Sequence, residues 1–232
     1  MSDQFPPWVP MLGEPLPGHG DLPGTHIAPY RPLSVEELTA VAYAFHPRIS
    51  LAEMDQMSIP EFKDRFWNSP EQQALARVQH IGYSKLATWH KLCAAVRQQV
   101  SPAYTIADRT YPRYDPTYVI VVDAPVVPGT IDENHLVVHV SYLVPYYYYY
   151  ELHSRRIDGK IRRDPLLYEV SPAFEDVLAV IEQEIEERYG YWRLPPHIAL
   201  LDVPGIYING YYDYLDGIPP VLKDALFTPH RW

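Results

Sequence analysis

Ten histidines make metal binding the first chemistry to examine. His135 and His139 lie four positions apart in a valine-rich segment, a pattern that predicts a strand. Four residues of strand span about 13 Å, whereas zinc ligands lie about 2 Å from the metal, so this pair cannot share one ion. His80 and His90 lie about 80° apart around a predicted helix and outside its apolar face. We therefore predict surface histidines and no metal site.

The single cysteine, Cys93, is the next candidate for chemistry. It lies between Trp89 and Val96 on an apolar helical arc, where a cysteine acts as a small hydrophobic residue. A nucleophilic thiolate needs an electropositive, partly exposed setting instead. The chain also contains no G-x-S-x-G, H-E-x-x-H or phosphate-binding loop motif. We expect no catalytic residue of these kinds and no cofactor.

Carboxylate pairs are numerous, and Asp213 and Asp216 stand among several tyrosines. Paired carboxylates beside aromatic residues are typical of glycoside hydrolysis. The same two residues follow a predicted hairpin turn, so they fit a solvated loop equally well. We favour the loop interpretation.

One charged feature is a short basic segment around Asp158-Gly159, a dipeptide that favours a type I′ hairpin turn. The basic hairpin tip consists of Arg155, Arg156, Lys160, Arg162 and Arg163. The predicted register places Arg155 opposite Arg162, and like charges in that position destabilise a hairpin. The tip either protects a sheet edge from aggregation or anchors a carboxylate or phosphate.

The second charged feature is a helix whose outer face is acidic and contains no lysine. This acidic helix face consists of Glu175, Asp176, Glu182, Glu186 and Glu187. Glu182 and Glu186 form an i, i+4 pair of like charge, which destabilises a helix slightly. A solvated face is the plain interpretation. Since tyrosine is common in interfaces and acidic faces attract basic proteins, we predict a partner-binding surface formed by Glu182, Glu186, Tyr207, Tyr211, Tyr212, Asp213, Tyr214 and Asp216.

Helices are predicted for the segment that precedes these features. Ser34 and Glu37 form a capping-box pattern that starts a helix ending near Phe45. Ser58 starts a second helix, which ends near Trp67. Ser69, with Pro70 at the first helical position, starts a third that continues to Pro102 as one long helix.

From about residue 117 the hydrophobic period becomes two, which predicts strands. A buried strand is expected over 118–124, a strand with one solvated face over 135–144, and another over 146–156. The hairpin pairs residues whose numbers add to 317, so Tyr149 faces Tyr168, and Pro165 makes the return strand an edge. A helix follows from Ser171 to a Gly190 C-cap, then a strand over 198–203, an Asn209-Gly210 hairpin and a short helix near 220–226.

The order of elements predicts an α+β fold. An N-terminal helical segment precedes a mainly antiparallel sheet with hairpins and one long helix in the C-terminal half. We expect a Pro/Gly-rich arm over residues 1–33, then one domain over 34–232, helical over 34–102 and sheet plus helix over 115–232. The arm contains several apolar residues, so we expect it to lie on its own domain or to dock on another subunit or partner.

Composition excludes several classes of protein. The 232 residues include 19 basic and 29 acidic side chains, a net charge of −10, which argues against nucleic acid as a partner. One cysteine allows no internal disulfide, and neither a secretory signal nor a membrane span is expected. Residues 164–232 alone carry a net charge of −8. These features favour a cytoplasmic protein with a basic partner.

We predict a non-catalytic, protein-binding function. The specific expectation is an acidic immunity-type inhibitor that occludes a bacterial toxin domain. One alternative is a structural or assembly subunit of a phage or secretion apparatus, forming homo-oligomers through residues 1–33. The other is an enzyme of a family without a recognisable motif.

Overall fold

The computed structural model describes residues 31–111, 115–125, 133–157, 160–163, 165–209 and 218–228. The helices of these ranges are α1 (Val35–Phe45), α2 (Leu51–Gln56), α3 (Ile59–Trp67), α4 (Pro70–Ser84), α5 (Leu86–Gln99), α6 (Glu175–Tyr189), α7 (Pro196–Ala199) and α8 (Leu222–Leu226). The strands are β1 (Thr105–Asp108), β2 (Thr117–Asp123), β3 (Glu133–Ser141), β4 (Tyr146–Ile157), β5 (Lys160–Arg163) and β6 (Trp192–Arg193). The fold is α+β, with helices before the sheet, as predicted.

The predicted helix starts are confirmed by cap geometry. Ser34 accepts a hydrogen bond from the Glu37 N–H at 3.2 Å, and the Glu37 carboxylate accepts one from the Ser34 N–H at 2.8 Å. Ser58 and Ser69 cap α3 and α4 with their side chains alone, which accept hydrogen bonds from the N–H groups of Glu61 and Gln72. The sequence analysis missed α2, which another capping box at Ser50 starts. Of the helices in the described ranges, none combines the length and apolar character needed to cross a bilayer.

The prediction of one helix from Pro70 to Pro102 is wrong, because the helix breaks at Lys85 into α4 and α5. The cause lies one turn earlier, at Gly82. Its carbonyl accepts hydrogen bonds from the Lys85 N–H at 3.1 Å and from the Tyr118 hydroxyl at 2.9 Å. Glycine also has a low helix propensity. The helix α4 therefore ends where the Gly82 carbonyl accepts a hydrogen bond from a side chain of the sheet.

The described strands form one sheet. Strands β1 to β5 lie in sequence order and pair antiparallel, while β6 pairs with β4 in parallel. The sheet begins at Thr105, earlier than the predicted residue 115. The hairpin register is confirmed from Ser154 opposite Arg163 to Ile157 opposite Lys160.

Beyond Pro165 the predicted hairpin register is wrong. Glu151 pairs with Leu167, one position later than a sum of 317 requires, so Tyr149 does not face Tyr168. Proline has no N–H to donate to a strand ladder, so regular pairing stops before Pro165. The next pair, Glu151 with Leu167, is shifted by one residue, as across a β-bulge. The predicted edge position is confirmed, because β5 stands at the end of the strand order.

The prediction that β3 has a solvated face is also wrong. On one face, the Tyr118 ring stacks on Trp89 of α5, with centroids 4.8 Å apart. On the other face, Ser141 Oγ donates to the Leu226 carbonyl at 2.6 Å, and His139 is fully buried. Both faces are therefore covered, the second by a segment about 85 residues later in the chain.

The C-terminal elements agree in part with expectation. Gly190 ends α6 in the left-handed conformation at φ 64°, as the C-cap prediction requires. The helix begins at Glu175 rather than near Ser171, and Val177, Leu178, Ile181 and Ile185 form its buried side. The strand predicted over 198–203 is wrong, because Pro196 starts the helical turn α7 there. The hairpin predicted at Asn209-Gly210 cannot be compared, because its turn and return strand after Asn209 lie outside the described residues.

Candidate functional site

The candidate site lies where α6 crosses β4, at the buried side chain of Tyr147. The Tyr147 hydroxyl lies 2.6 Å from Glu186 Oε1 and 3.1 Å from Glu182 Oε1. Glu182 and Glu186 meet at one phenol because residues four apart lie on the same side of a helix. A phenol has one hydrogen to donate, so it cannot satisfy both carboxylates at once. We call Glu182 and Glu186, which meet at this phenol, the Tyr147 carboxylate pair.

The electrostatics of the pair follow from burial. Burial raises the pKa of Glu182, and the nearby Glu186 carboxylate raises it further, while Tyr147 and Arg193 act in the opposite direction. Burial and the hydrogen bond to Glu186 also raise the pKa of the Tyr147 phenol. The phenol therefore stays a neutral donor, and Glu182 holds its proton more tightly than an exposed glutamate does.

One cation borders the site. Parallel pairing of β6 with β4 places Arg193 at the register position of Tyr147. The Arg193 guanidinium carbon lies 4.3 Å from the Tyr149 ring centroid, a cation–π contact. Burial raises the pKa of Tyr149 to about 12. Arg193 thus marks one side of the site, beside the half-exposed Trp192.

The remainder of α6 extends the acidic surface. Glu184 is engaged within the protein, because Arg188 and Gln99 both donate to it. Glu187 accepts from Gln183 at 2.9 Å. Among the described residues, no lysine or arginine forms an ion pair with any member of the acidic helix face, Glu175, Asp176, Glu182, Glu186 and Glu187. Chemically, this face can accept hydrogen bonds from guanidinium and ammonium groups.

The structure brings together only part of the predicted partner-binding surface. Glu182 and Glu186 meet at Tyr147, as described above. Tyr207 packs elsewhere, with its ring edge-on to Phe62 and Phe66 of α3 at 5.2 and 4.9 Å. The other predicted members, Tyr211, Tyr212, Asp213, Tyr214 and Asp216, lie outside the described residues. Of the described members of the predicted surface, only Glu182 and Glu186 therefore lie together.

Sequence reasoning missed Tyr147 and Arg193. A signal for Tyr147 was present, because alternation along a strand puts every second residue of the run Tyr146 to Tyr150 on one face. Nothing in the sequence shows which of the two alternating sets faces α6. Arg193 gave no signal, since it reaches the site through a two-residue strand.

The basic hairpin tip keeps its predicted pairing. Arg155 stands opposite Arg162, and Arg156 stands opposite Ile161, on the outermost antiparallel pair of the sheet. Edge protection and anion anchoring both remain predictions for Arg155, Arg156, Lys160, Arg162 and Arg163.

The residues considered for metal or thiol chemistry are placed as follows. His135 Nδ1 lies 2.7 Å from Asp123 Oδ1, while the His139 ring is stacked against both Tyr148 and Tyr150, which also contact each other. Within the described ranges, no group of three or more His, Cys, Asp or Glu side chains could hold a metal ion. Cys93 is buried, and burial raises the pKa of its thiol to about 12, the opposite of thiolate activation.

A fully buried carboxylate, Glu151, was also missed. It accepts hydrogen bonds from the Ser171 N–H at 2.7 Å and the Ser171 hydroxyl at 2.9 Å, and His153 Nε2 lies 2.6 Å from it. In a hydrolase triad the imidazole contacts the hydroxyl, whereas here the carboxylate is the shared partner. Glu151 therefore fastens the segment before α6 to β4 and does not complete a triad.

Comparison with known proteins adds no relative. No family model matches the chain, and neither the curated proteins nor the solved structures give a match.

Proposed function

We propose that this chain is a non-catalytic binding protein whose acidic helix face takes a basic protein partner. The contact is centred on the Tyr147 carboxylate pair. The role we favour is that of an immunity-type inhibitor, which occludes a bacterial toxin domain in the cytoplasm.

One observation carries the proposal. Glu182 and Glu186 are held on one buried phenol that has a single hydrogen for both, so the pair retains capacity to accept further hydrogen bonds. Carboxylates already fixed in position lose little side-chain entropy when a partner arrives. A basic side chain in the partner would relieve the like-charge contact between them.

The charge distribution supports the same conclusion. Residues 164–232 carry a net charge of −8, and the acidic helix face is part of that segment. A surface of one sign accelerates encounter with a protein of the opposite sign, and the acceleration falls as salt rises. A basic toxin domain fits that electrostatic description.

The experiment begins with the open reading frame adjacent to this gene. Its product is expressed alone and together with this chain, and we expect growth arrest only when it is expressed alone. Binding of the two purified proteins is then measured at low and high salt. We expect the association rate of the Glu182→Gln/Glu186→Gln variant to fall about tenfold at low salt and the difference to shrink at high salt.

The matched control is Glu61→Gln/Glu133→Gln, which removes the same charge from two exposed glutamates outside α6. Its association rate should fall much less. A neighbouring product that is neither toxic nor bound would show the inhibitor role to be wrong. Equal losses in both double variants would show that net charge, and not the Tyr147 carboxylate pair, determines binding.

A further inference from the structure

A second surface lies on α1, and its residues are different from those of the proposed function. It is an open groove of about 570 Å³ along the exposed side of the helix. Its lining consists of Val35, Glu36, Thr39, Ala40, Tyr43, Ala44 and Arg48. The Tyr43 hydroxyl donates to the Pro204 carbonyl at 3.2 Å, and the Arg48 guanidinium carbon lies 4.7 Å from the Tyr43 ring. The groove thus has small apolar residues along its length and a fixed aromatic ring near one end.

We propose that residues 5–16 of this same chain occupy the groove. The described chain begins at Arg31, which forms an ion pair with Glu37 at 2.6 Å. Two residues later, the Leu33 N–H donates to the Tyr146 hydroxyl at 2.9 Å. These contacts fix the preceding chain at the first turn of α1, beside the end of the groove that Val35 lines.

The connection is long enough for this return path. Residues 17–30 can span roughly 45 Å when extended. With its 11 residues, α1 is about 16 Å long. Residue 16 can therefore reach any point of the groove, and a tethered ligand has a high effective concentration there.

The chemistry of residues 5–16 fits the groove. They contain Pro7-Trp8-Val9-Pro10, a P-x-x-P spacing that favours the polyproline II conformation. Segments of this kind dock into grooves lined by aromatic residues, and their preformed shape costs little entropy. Phe5, Trp8 and Met11 supply the apolar side chains.

Charge is compatible with the same occupant. Residues 1–30 contain three acidic side chains, Asp3, Glu14 and Asp21, and no lysine or arginine, and only Glu14 lies within residues 5–16. The groove holds one exposed cation, Arg48, and one exposed carboxylate, Glu36, so the formal charges of its lining cancel. Occupation of α1 by its own chain would leave residues 5–16 unable to join one subunit to another. It therefore separates this proposal from the assembly alternative, and it does not depend on the partner of α6.

The test places a photo-crosslinking residue in the full chain, with p-benzoylphenylalanine in place of Trp8. After irradiation, mass spectrometry should find crosslinks to peptides containing residues 35–48. Ala40→Arg, an exposed position in the groove, should reduce their yield about tenfold, because the longer side chain would fill the space that the docked segment needs. The matched control is Ala87→Arg, an exposed position on α5, and it should leave the yield unchanged.

A mixture of ¹⁵N-labelled and unlabelled chains identifies the donor of the segment. Crosslinked peptides that carry the same label throughout support docking within one chain. Peptides of mixed label would show that a second copy occupies the groove, and the proposal would then be wrong. Crosslinks confined to other elements, an absence of crosslinks to 35–48, or equal yields in Ala40→Arg and the parent would also overturn it. Circular dichroism melting of both arginine variants checks that each remains folded.

Discussion

Tyr118 of β2 donates its hydroxyl hydrogen to the carbonyl oxygen of Gly82, 2.9 Å away, and thereby joins the sheet to the last turn of α4. Gly82 is buried, and a Cβ added there would overlap the ring of Tyr142. The two aromatic side chains meet edge-on, with ring centroids 4.4 Å apart. One glycine therefore allows both the close packing and the hydrogen bond that end α4.

Replacing Gly82 by alanine should destabilise the protein, although the same change in an exposed helix would stabilise it. Overpacking against Tyr142 should cost about 2 kcal/mol of unfolding free energy, more than the gain in helix propensity of about 1 kcal/mol. Tyr118→Phe, which removes the donor to the Gly82 carbonyl, should cost about 1 kcal/mol. Urea denaturation at pH 7 measures both.

The control for the hydroxyl is Tyr83→Phe, because Tyr83 is 53% exposed beside the same turn. Its unfolding free energy should match that of the parent. If Gly82→Ala is as stable as the parent, the close packing against Tyr142 does not explain the break between α4 and α5.

How much of the fold could be predicted depends on the range of the interactions involved. The β4–β5 register follows from a two-residue turn, and the end of α6 follows from one glycine, so local sequence was sufficient for both. The helix break at Lys85 depends on Tyr118, and the burial of His139 and Ser141 depends on residues near Leu226. Helical and strand periodicity contain no information about such distant partners.

The candidate site shows the same division. Glu182 and Glu186 were found because their spacing puts both on one side of a helix. Tyr147 was missed because five consecutive tyrosines fit either phase of a strand, and only the packing of α6 selects one phase. Tyr207 packs against Phe62 and Phe66 of α3, a contact between distant parts of the chain that the local sequence does not indicate.

Two buried histidines should make the protein sensitive to acid. Burial lowers the pKa of His46 to about 4 and that of His139 to about 3, and for His139 the nearby Lys223 ammonium adds to the effect. The unfolded chain takes up these protons near pH 6.5, before the folded chain does. Stability should therefore fall as pH drops from 6.5, by on the order of 3 kcal/mol per histidine by pH 4.

His139→Phe isolates one histidine from carboxylates that titrate over the same range. A phenyl ring can keep the stacking on Tyr148 and Tyr150 without binding a proton. Urea unfolding from pH 7 to pH 4 should show a clearly smaller loss in this variant. His80→Phe, at an exposed position of α4, should retain the full loss. Identical pH dependence in the two variants would contradict the assignment to His139.

The thiol of Cys93 should be unreactive in the folded protein. The residue is 1% exposed, and burial raises the pKa of its thiol to about 12. A reagent therefore cannot reach the sulfur, and the reactive thiolate form is not populated at neutral pH. Reaction with a coloured disulfide reagent at pH 8 should be slow in buffer and complete within mixing time in 6 M guanidinium chloride. Fast labelling of the native protein, with its melting curve unchanged, would show that α5 opens or that the thiol is accessible.

Glu182→Gln should separate stability from partner binding. Burial raises the pKa of Glu182, so the folded state holds this proton more tightly than the unfolded state does, and the ionised form destabilises the fold. Removing the charge should therefore stabilise the protein at pH 7 by a few tenths of a kcal/mol, the size of a like-charge i, i+4 contact. The gain should disappear as pH falls below the ordinary glutamate value of 4.5, where the parent carboxyl is protonated as well. Glu169→Gln, an exposed position outside α6, should change stability at neither pH.

A site kept for binding accepts a stability cost, so the more stable Glu182→Gln variant should bind the basic partner more weakly. Loss of stability at pH 7 would instead show that Glu182 serves the fold.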